Sequence, residues 1–345
     1  VIDYAKGYSS SFRLVKVDPV SWASQDEYAK VVSASISRDC TDDYPLLESA
    51  DVSVTLDGGE FAEGWYRVEM LASQSGATER VPVCTMLFQN SECQYDRGSS
   101  VASALGESVL RPAADRLILT GTYAPKGSDG AEVAASLLRE CTPAPVVVDG
   151  GFELGEHVVF GAGVSFAEAA WTVLKAAGFC IRIMGDGTIH VGPKPVYAAL
   201  SFDFEGRALL LPGSTRSYDL SQVPNRYFAV QGDDVGVAVN DQPLSRTSVA
   251  KRGRYVDVID SEPVKLGGET MTAYAERKLR ELSTVTREFS YRREFVPDLV
   301  PFDVVAGTVP ELGMDGSFRI LKQSLECGKG ITVSETAGQE IEEYA

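Results

Sequence analysis

Histidine is nearly absent from this chain: His157 and His190 are the only two among 345 residues. Each stands alone in an apolar, strand-like run, which argues for ordinary strand residues rather than bases or metal ligands. The six cysteines (Cys40, Cys84, Cys93, Cys141, Cys180 and Cys327) are scattered and form no C-x-x-C pair. That spacing speaks against zinc, and in a chain this long it favours buried thiols over a disulfide frame. No apolar run reaches the length of a membrane-spanning helix, and Val1 to Lys16 lacks the apolar segment of a signal peptide. Basic residues are also short: 32 Lys and Arg against 49 Asp and Glu leave a net charge of -17. Such a surface repels phosphate backbones, so gripping nucleic acid is not expected. Solubility alone accounts for acidity; a sharper reading is a channel wall along which a polyanion slides without sticking.

What the chain has is period-2 alternation. From Arg287 to Phe295 the odd positions are Arg287, Phe289, Tyr291, Arg293 and Phe295, and the even ones are Glu288, Ser290, Arg292 and Glu294. One face leans apolar and the other is wet, as in a long strand of a barrel or sheet. The first 120 residues are expected to be all-β. Ala50, Val52, Val54 and Leu56 alternate with Asp51, Ser53 and Thr55 before the turn Asp57-Gly58-Gly59. Tyr66, Val68 and Met70 alternate with Trp65, Arg67 and Glu69, and Val81 to Phe88 suggests a further strand. Turn signals about every ten residues favour a barrel or sandwich over a parallel sheet.

The character changes near Gly127. Asp129-x-x-Glu132 and Ser165-x-x-Glu168 are capping boxes, each opening a helix with an apolar face. A hairpin follows: Cys180 to Met184, Gly185-Asp186-Gly187, then Thr188 to Val191. From Phe202 β signals return at Tyr227 to Gln231, Val235 to Val239 and Tyr255 to Ile259. One helix is expected at about 270–282, with Met271, Ala275, Leu279 and Leu282 on one face and the pairs Glu276–Arg280 and Arg277–Glu281 on its wet side. Strands at 286–296, 303–309 and 317–327 close the chain, and the acidic tail from Gln339 is expected to fray. No repeat of 20–50 residues is visible.

Several patterns imitate chemistry. The run from His157 through Gly161-Ala-Gly163 into a helix, with Asp186 beyond, mimics a dinucleotide fingerprint. Phe166 occupies the third glycine's place, however, and Asp186 lies in a hairpin turn, so a helix cap after a tight loop is the better reading. Acids cluster at Asp39, Asp42 and Asp43, and again at Asp233, Asp234 and Asp241, without calcium-loop spacing; solvated loops account for them. Asn225 after Pro224 suits a turn entering a strand. Trp22, Trp65 and Trp171 suit core or interface anchors better than a sugar platform. No catalytic, cofactor-binding or metal-binding residue is assigned, and no enzyme activity or cofactor is expected.

The segment order resembles the central baseplate-hub proteins of tailed bacteriophages and related injection particles, including the late-control-D type. The resemblance rests on the strand pair Ala50–Leu56 and Tyr66–Ala72, then on Gly163-Val-Ser-Phe before a helix and Asp186-Gly-Thr-Ile-His-Val-Gly-Pro after it. It continues in Val223-Pro-Asn-Arg-Tyr-Phe-Ala-Val-Gln, the helix Ala273 to Leu282, Phe295-Val-Pro-Asp-Leu-Val-Pro-Phe-Asp-Val-Val and Phe318-Arg-Ile-Leu-Lys-Gln-Ser-Leu-Glu. Phe302 departs from the pattern, standing where a glycine commonly precedes the aspartate. The resemblance implies an α+β, mainly β fold: a tube-type β-barrel region at 1–124, a small inserted α/β domain at 125–197, and a second tube-type barrel region at 198–345. It implies a homotrimer forming a pseudo-sixfold ring in the virion tail, assembled in the host cytoplasm. Its partners would be the hexameric tail tube or distal tail protein and the spike or tip protein, with DNA only in transit. A carbohydrate- or receptor-binding tail protein is the alternative.

Overall fold

The computed structural model describes residues 2–342 apart from 5–6, 41–46, 57–60, 97–98, 156, 203–209, 262, 264–268, 310–313 and 329. The chain is mainly β and divides into two compact units, Val1–Ser214 with Ser290–Ala337, and Thr215–Phe289 with Gly338–Ala345. The expected turn at Asp57-Gly58-Gly59 lies outside the described residues, as do Asp42 and Asp43.

In the first unit, β1 (Ser9–Val17), β2 (Ser24–Asp39), β3 (Leu47–Leu56), β4 (Gly64–Gln74), β5 (Ala77–Asp96) and β6 (Ser99–Glu107) pair in the order β1-β4-β5-β6-β3-β2. Strand β1 also pairs with β2, which closes a six-stranded barrel. Alternation decides what goes inside. Val52, Val54 and Leu56 of β3 meet Tyr66, Val68 and Met70 of β4 and Met86 and Phe88 of β5, all buried. Each large side chain so buried stabilises the barrel by about 1.5–3 kcal/mol. The segments expected as strands were too short: Ala50–Leu56 is the end of β3, and Val81–Phe88 is the middle of a twenty-residue β5.

The all-β expectation for the first 120 residues fails at α1 (Arg111–Asp115), a short helix with Pro112 in its first turn, where a missing N–H costs nothing. After it come β7 (Thr122–Ala124), α2 (Gly130–Arg139), β8 (Val146–Val148), β9 (Val158–Phe160), α3 (Phe166–Ala176), β10 (Phe179–Ile183) and β11 (Ile189–Pro193). Both capping boxes hold: Asp129 accepts from the amides of Ala131 and Glu132, and Ser165 from that of Glu168. β10 and β11 form the expected hairpin, with β8 parallel to β11.

Contrary to the sequence reading, this segment contains a repeat, at an offset of 36 residues. β7 and β9 pair antiparallel as Thr122↔Phe160, Tyr123↔Val159 and Ala124↔Val158, so the offset maps the pairing onto itself. It also exchanges the bridges Leu117↔Ser165 and Asp129↔Glu153. The amide of Gly127 donates to the Leu154 carbonyl at 2.9 Å, and that of Gly163 to the Ile118 carbonyl at 2.8 Å. Both glycines take positive φ, 83° and 90°. The two copies are thus related by a local twofold. In one copy the Phe166 side chain opens the helix. In the other Gly130 does, and the Phe152 ring fills the space, so that a Cβ on Gly130 would lie 2.3 Å from it.

Strands β12 (Ala198–Phe202) and β13 (Leu210–Ser217) follow. The second unit holds β14 (Arg226–Gln231), β15 (Asp234–Val239), α4 (Val249–Arg252), β16 (Asp257–Asp260) and α5 (Met271–Leu282), with sheet order β15-β14-β16 and α5 packed on β14 and β15. Met271, Ala275 and Leu279 face this core as expected, but Leu282 is exposed. Arg277 pairs with Glu281 as its spacing predicts.

The chain ends with β17 (Thr284–Glu294), β18 (Val304–Val309), β19 (Met314–Cys327) and β20 (Ile331–Glu342). Gln339 to Glu342, expected to fray, continue β20. Pairing runs β12-β18-β19-β20-β17-β13, and β19 also pairs with β2 of the barrel. Ranked by position in the chain, these six strands repeat the order of the first six. The sense is not the same throughout: β12 runs parallel to β18, whereas β1 runs antiparallel to β4.

Candidate functional site

Within each unit, the described residues that imitate chemistry are brought to no common site. The Gly161–Gly163 loop leads from β9, which pairs antiparallel with β7, so no parallel strand–helix–strand unit surrounds it. Asp186 sits in the β10–β11 turn, its carboxylate accepting from the Thr188 amide at 2.9 Å. Asp39 pairs with Lys322, and Asp233, Asp234 and Asp241 are exposed. Asn225 is buried and structural: its amide donates to the carbonyls of Thr247 and Arg254, and its oxygen accepts from the Val256 amide. Among the described residues no three His, Cys, Asp or Glu side chains converge to hold a metal ion. His157 accepts from the Lys126 amide just before β9. His190 is not alone: its Nδ1 lies 2.6 Å from Asp149, which is 3.9 Å from Arg182.

The polar groups that do converge form a buried seam where β2 meets β19. Arg38 donates to Glu48 at 2.8 Å, to the Val83 carbonyl at 2.8 Å and to Gln323 at 3.4 Å. Gln323 donates to Glu335 at 2.6 Å and to the Leu299 carbonyl at 2.8 Å. Glu335 accepts both arms of Arg293 in a forked pair, with the Nε contact at 2.8 Å. Arg293 is 1% exposed and Glu335 2%. Burial pushes the Glu48 carboxyl above its ordinary range, opposed by the Arg38 guanidinium. Strand β17 explains the placement: Phe289, Tyr291 and Arg293, and Phe295 just beyond the strand, are all buried, so alternation carries a cation into the core with them. A cleft of about 330 Å³ opens along the seam, lined among others by Ser37, Gly213, Tyr291, Lys322 and Glu335.

Two further clamps hold the α/β segment. The Asp186 carbonyl accepts from Trp22 Nε1 at 2.9 Å and from Arg67 at 2.8 Å, while Thr85 donates to the Gly185 carbonyl at 3.0 Å. Gly187, at φ 81°, lies so close that a Cβ would meet Thr85 at 2.8 Å and Trp22 at 2.9 Å. On the other side Arg182 donates to the buried Asp303 at 2.9 Å. Trp22 and Trp171 are buried and Trp65 packs on Trp22 with ring centroids 5.4 Å apart, the anchor role the sequence indicates. Phe302 holds φ 74°, so the backbone keeps the left-handed conformation that a glycine adopts without strain. Its ring packs near Trp171, with Lys194 over its face.

No protein-family model matches the chain, and no curated protein matches its sequence. Solved structures do. The 43 kDa tail protein of prophage MuSo2 from Shewanella oneidensis superimposes with a TM-score of 0.62 at 13% identity, over 95% of this chain and 97% of that one. The tail protein from Neisseria meningitidis MC58 gives 0.60 at 15% identity, over 97% of both chains. The E. coli c3393 protein, a type VI secretion component with structural similarity to the T4 tail proteins gp27 and gp5, gives 0.50 at 10% identity, over 90% and 73%. Over nearly its whole length, then, this chain has the fold of these tail proteins.

Proposed function

We propose that this chain is a structural hub of a phage tail or phage-like particle, a virion component that acts by assembly rather than by chemistry. The observation that carries this reading is the repeated strand order. β12, β13 and β17 to β20 pair in the sequence that closes β1 to β6 into a barrel, which supports a second tube-type barrel in the same polypeptide. Two like barrels per copy let three copies present six similar faces, matching threefold to sixfold geometry. The α/β segment at 125–197 is then the insert between barrels, and 215–289 a further excursion from the second.

In this reading the ring joins a hexameric tail tube to a spike or tip protein, and the acidic excess faces a channel that passes DNA. The full-length likeness to prophage tail proteins supports it. Trp22 and Trp171 are buried and the half-buried Trp65 packs on Trp22, so the receptor-binding alternative gains no support from them. Light scattering on the purified chain, followed by electron microscopy, tests the proposal. A mass of three chains and a threefold ring about as wide as a tail tube are expected. A chain that stays monomeric at high concentration and forms no ring would overturn it.

A further inference from the structure

Among the described residues, one strand pairing, β2 with β19, joins the two strand sets within a chain. Strand β2 uses one edge twice: residues 24–30 pair with β1, and residues 34–39 pair with 322–327 of β19. β19 is divided the same way, with 314–319 on β18 and 322–327 on β2. By rank in the shared strand order, β2 corresponds to β13 and β19 to β5. The edge of β5 that corresponds to 322–327 is open. β4 ends at the Gly64↔Phe88 pair, and beyond it residues 89–96 pair only with β6 among the described residues. Among the described residues β13 in turn ends the sheet, with β17 on its one paired side. An open strand edge is a template for another strand.

A second observation marks the same place. Beside this open edge, β6 turns its small residues inward (Ala102, Ala104) and its larger ones outward: Val101 is 40% exposed and Leu105 51%. Val101 stands opposite Gln94 and Leu105 opposite Gln89. Exposed Glu92, Cys93 and Gln94 complete the strip, and β13 supplies exposed Gly213, Thr215 and Arg216.

We propose that β13 of one copy lies along residues 89–96 of β5 in the next, repeating between chains the β2–β19 pairing within each chain. The contact is head-to-tail, with different surfaces on the two sides, and such contacts build rings when the rotation closes. Its partner is a second copy of this chain. The inference rests on the two-barrel hub reading for the number of copies, but the pairing itself can fail separately.

Cysteine crosslinking of the full chain tests it. In Ser214→Cys and Thr215→Cys, mild oxidation is expected to join the new thiol to Cys93 of a neighbour, giving dimers and trimers on a denaturing gel that reductant removes. Adding Cys93→Ser should abolish them, and Val20→Cys, at an exposed turn far along the chain from both strands, should give none. A surface variant, Leu105→Arg, should weaken trimer formation at least tenfold by light scattering while leaving the circular dichroism spectrum unchanged. Trimers that form without either crosslink and survive Leu105→Arg would overturn this interface and spare the hub reading. Absence of any oligomer, wild type included, would overturn both.

Discussion

At the scale of single residues, the side chains that matter most are polar ones in apolar places. Arg293 and Glu335 are taken out of water together, so the pair adds little net stability, but either partner left alone is costly. Arg293→Met should therefore destabilise the protein by about 3–5 kcal/mol, because the buried Glu335 carboxylate loses its paired cation and keeps neutral partners such as Gln323. Arg293→Met with Glu335→Leu should recover most of that loss; urea denaturation of the two singles and the double measures it. Phe302 poses a different balance. Replacing it with glycine relieves strain of about 1–3 kcal/mol but deletes a buried ring worth about 3–5 kcal/mol. Burial wins, so Phe302→Gly should lower stability by roughly 1–3 kcal/mol, despite the glycine favoured by its backbone. The carboxyls of Glu48 and Asp303 are both raised, chiefly by burial. A raised folded-state carboxyl binds its proton more readily than in the unfolded chain. Its stabilising contribution is thus present below the ordinary range near about 4 and is lost as pH rises through the folded value. The urea midpoint should therefore rise as pH falls toward the ordinary carboxyl range, and a variant with Glu48→Gln and Asp303→Asn should show a smaller rise.

At the scale of elements, the repeat around β7 and β9 shows where sequence patterns stop being legible. The two halves share only Gly127 with Gly163, Ala131 with Ala167, Glu132 with Glu168, Ala134 with Ala170 and Leu138 with Leu174. These are the turn, the cap and the small or apolar residues at the helix contact, so each half was readable as a capped helix while the relation between them was not. Gly130 against Phe152 is where the halves trade volume, and Gly130→Ala should cost about 1–3 kcal/mol by overpacking, read as a lowered midpoint in thermal denaturation. The strands divide by the same logic. Alternation in 287–295 gave the inward face from Phe289 onward, where one side is wet, but not at Arg287 and Glu288, which are both half-buried. It failed for β6, whose inward alanines and outward Val101 and Leu105 reverse the usual contrast, and for the end of β5, where the residues beyond Phe88 are polar. The first failure lies beside, and the second on, the stretch of β5 at 89–96 that pairs only with β6 among the described residues. The seam shows the converse: nothing in local spacing links Arg38 to Gln323, 285 positions away, since only the closed topology brings them together.

At the scale of the whole molecule, charge opposes the proposed assembly. Each copy carries a net charge of -17, so if copies assemble as proposed they repel as they meet, and the strand pairing and the apolar strip at Val101 and Leu105 would have to offset that repulsion. Salt separates these contributions. The screening length shrinks from about 10 Å at 0.1 M to about 3 Å at 1 M, while backbone pairing and apolar burial are left nearly intact. Trimers should therefore tighten as sodium chloride rises through that range, seen as a lower dissociation constant in sedimentation equilibrium. The opposite trend would mean that opposite-charge pairs dominate the contact, which β13, with Arg216 as its single basic residue, is poorly equipped to supply against Glu92. The same series run on Leu105→Arg isolates the apolar share. If the strip carries the contact, the variant should stay weak at every salt concentration, because screening removes repulsion but cannot restore the buried side chain.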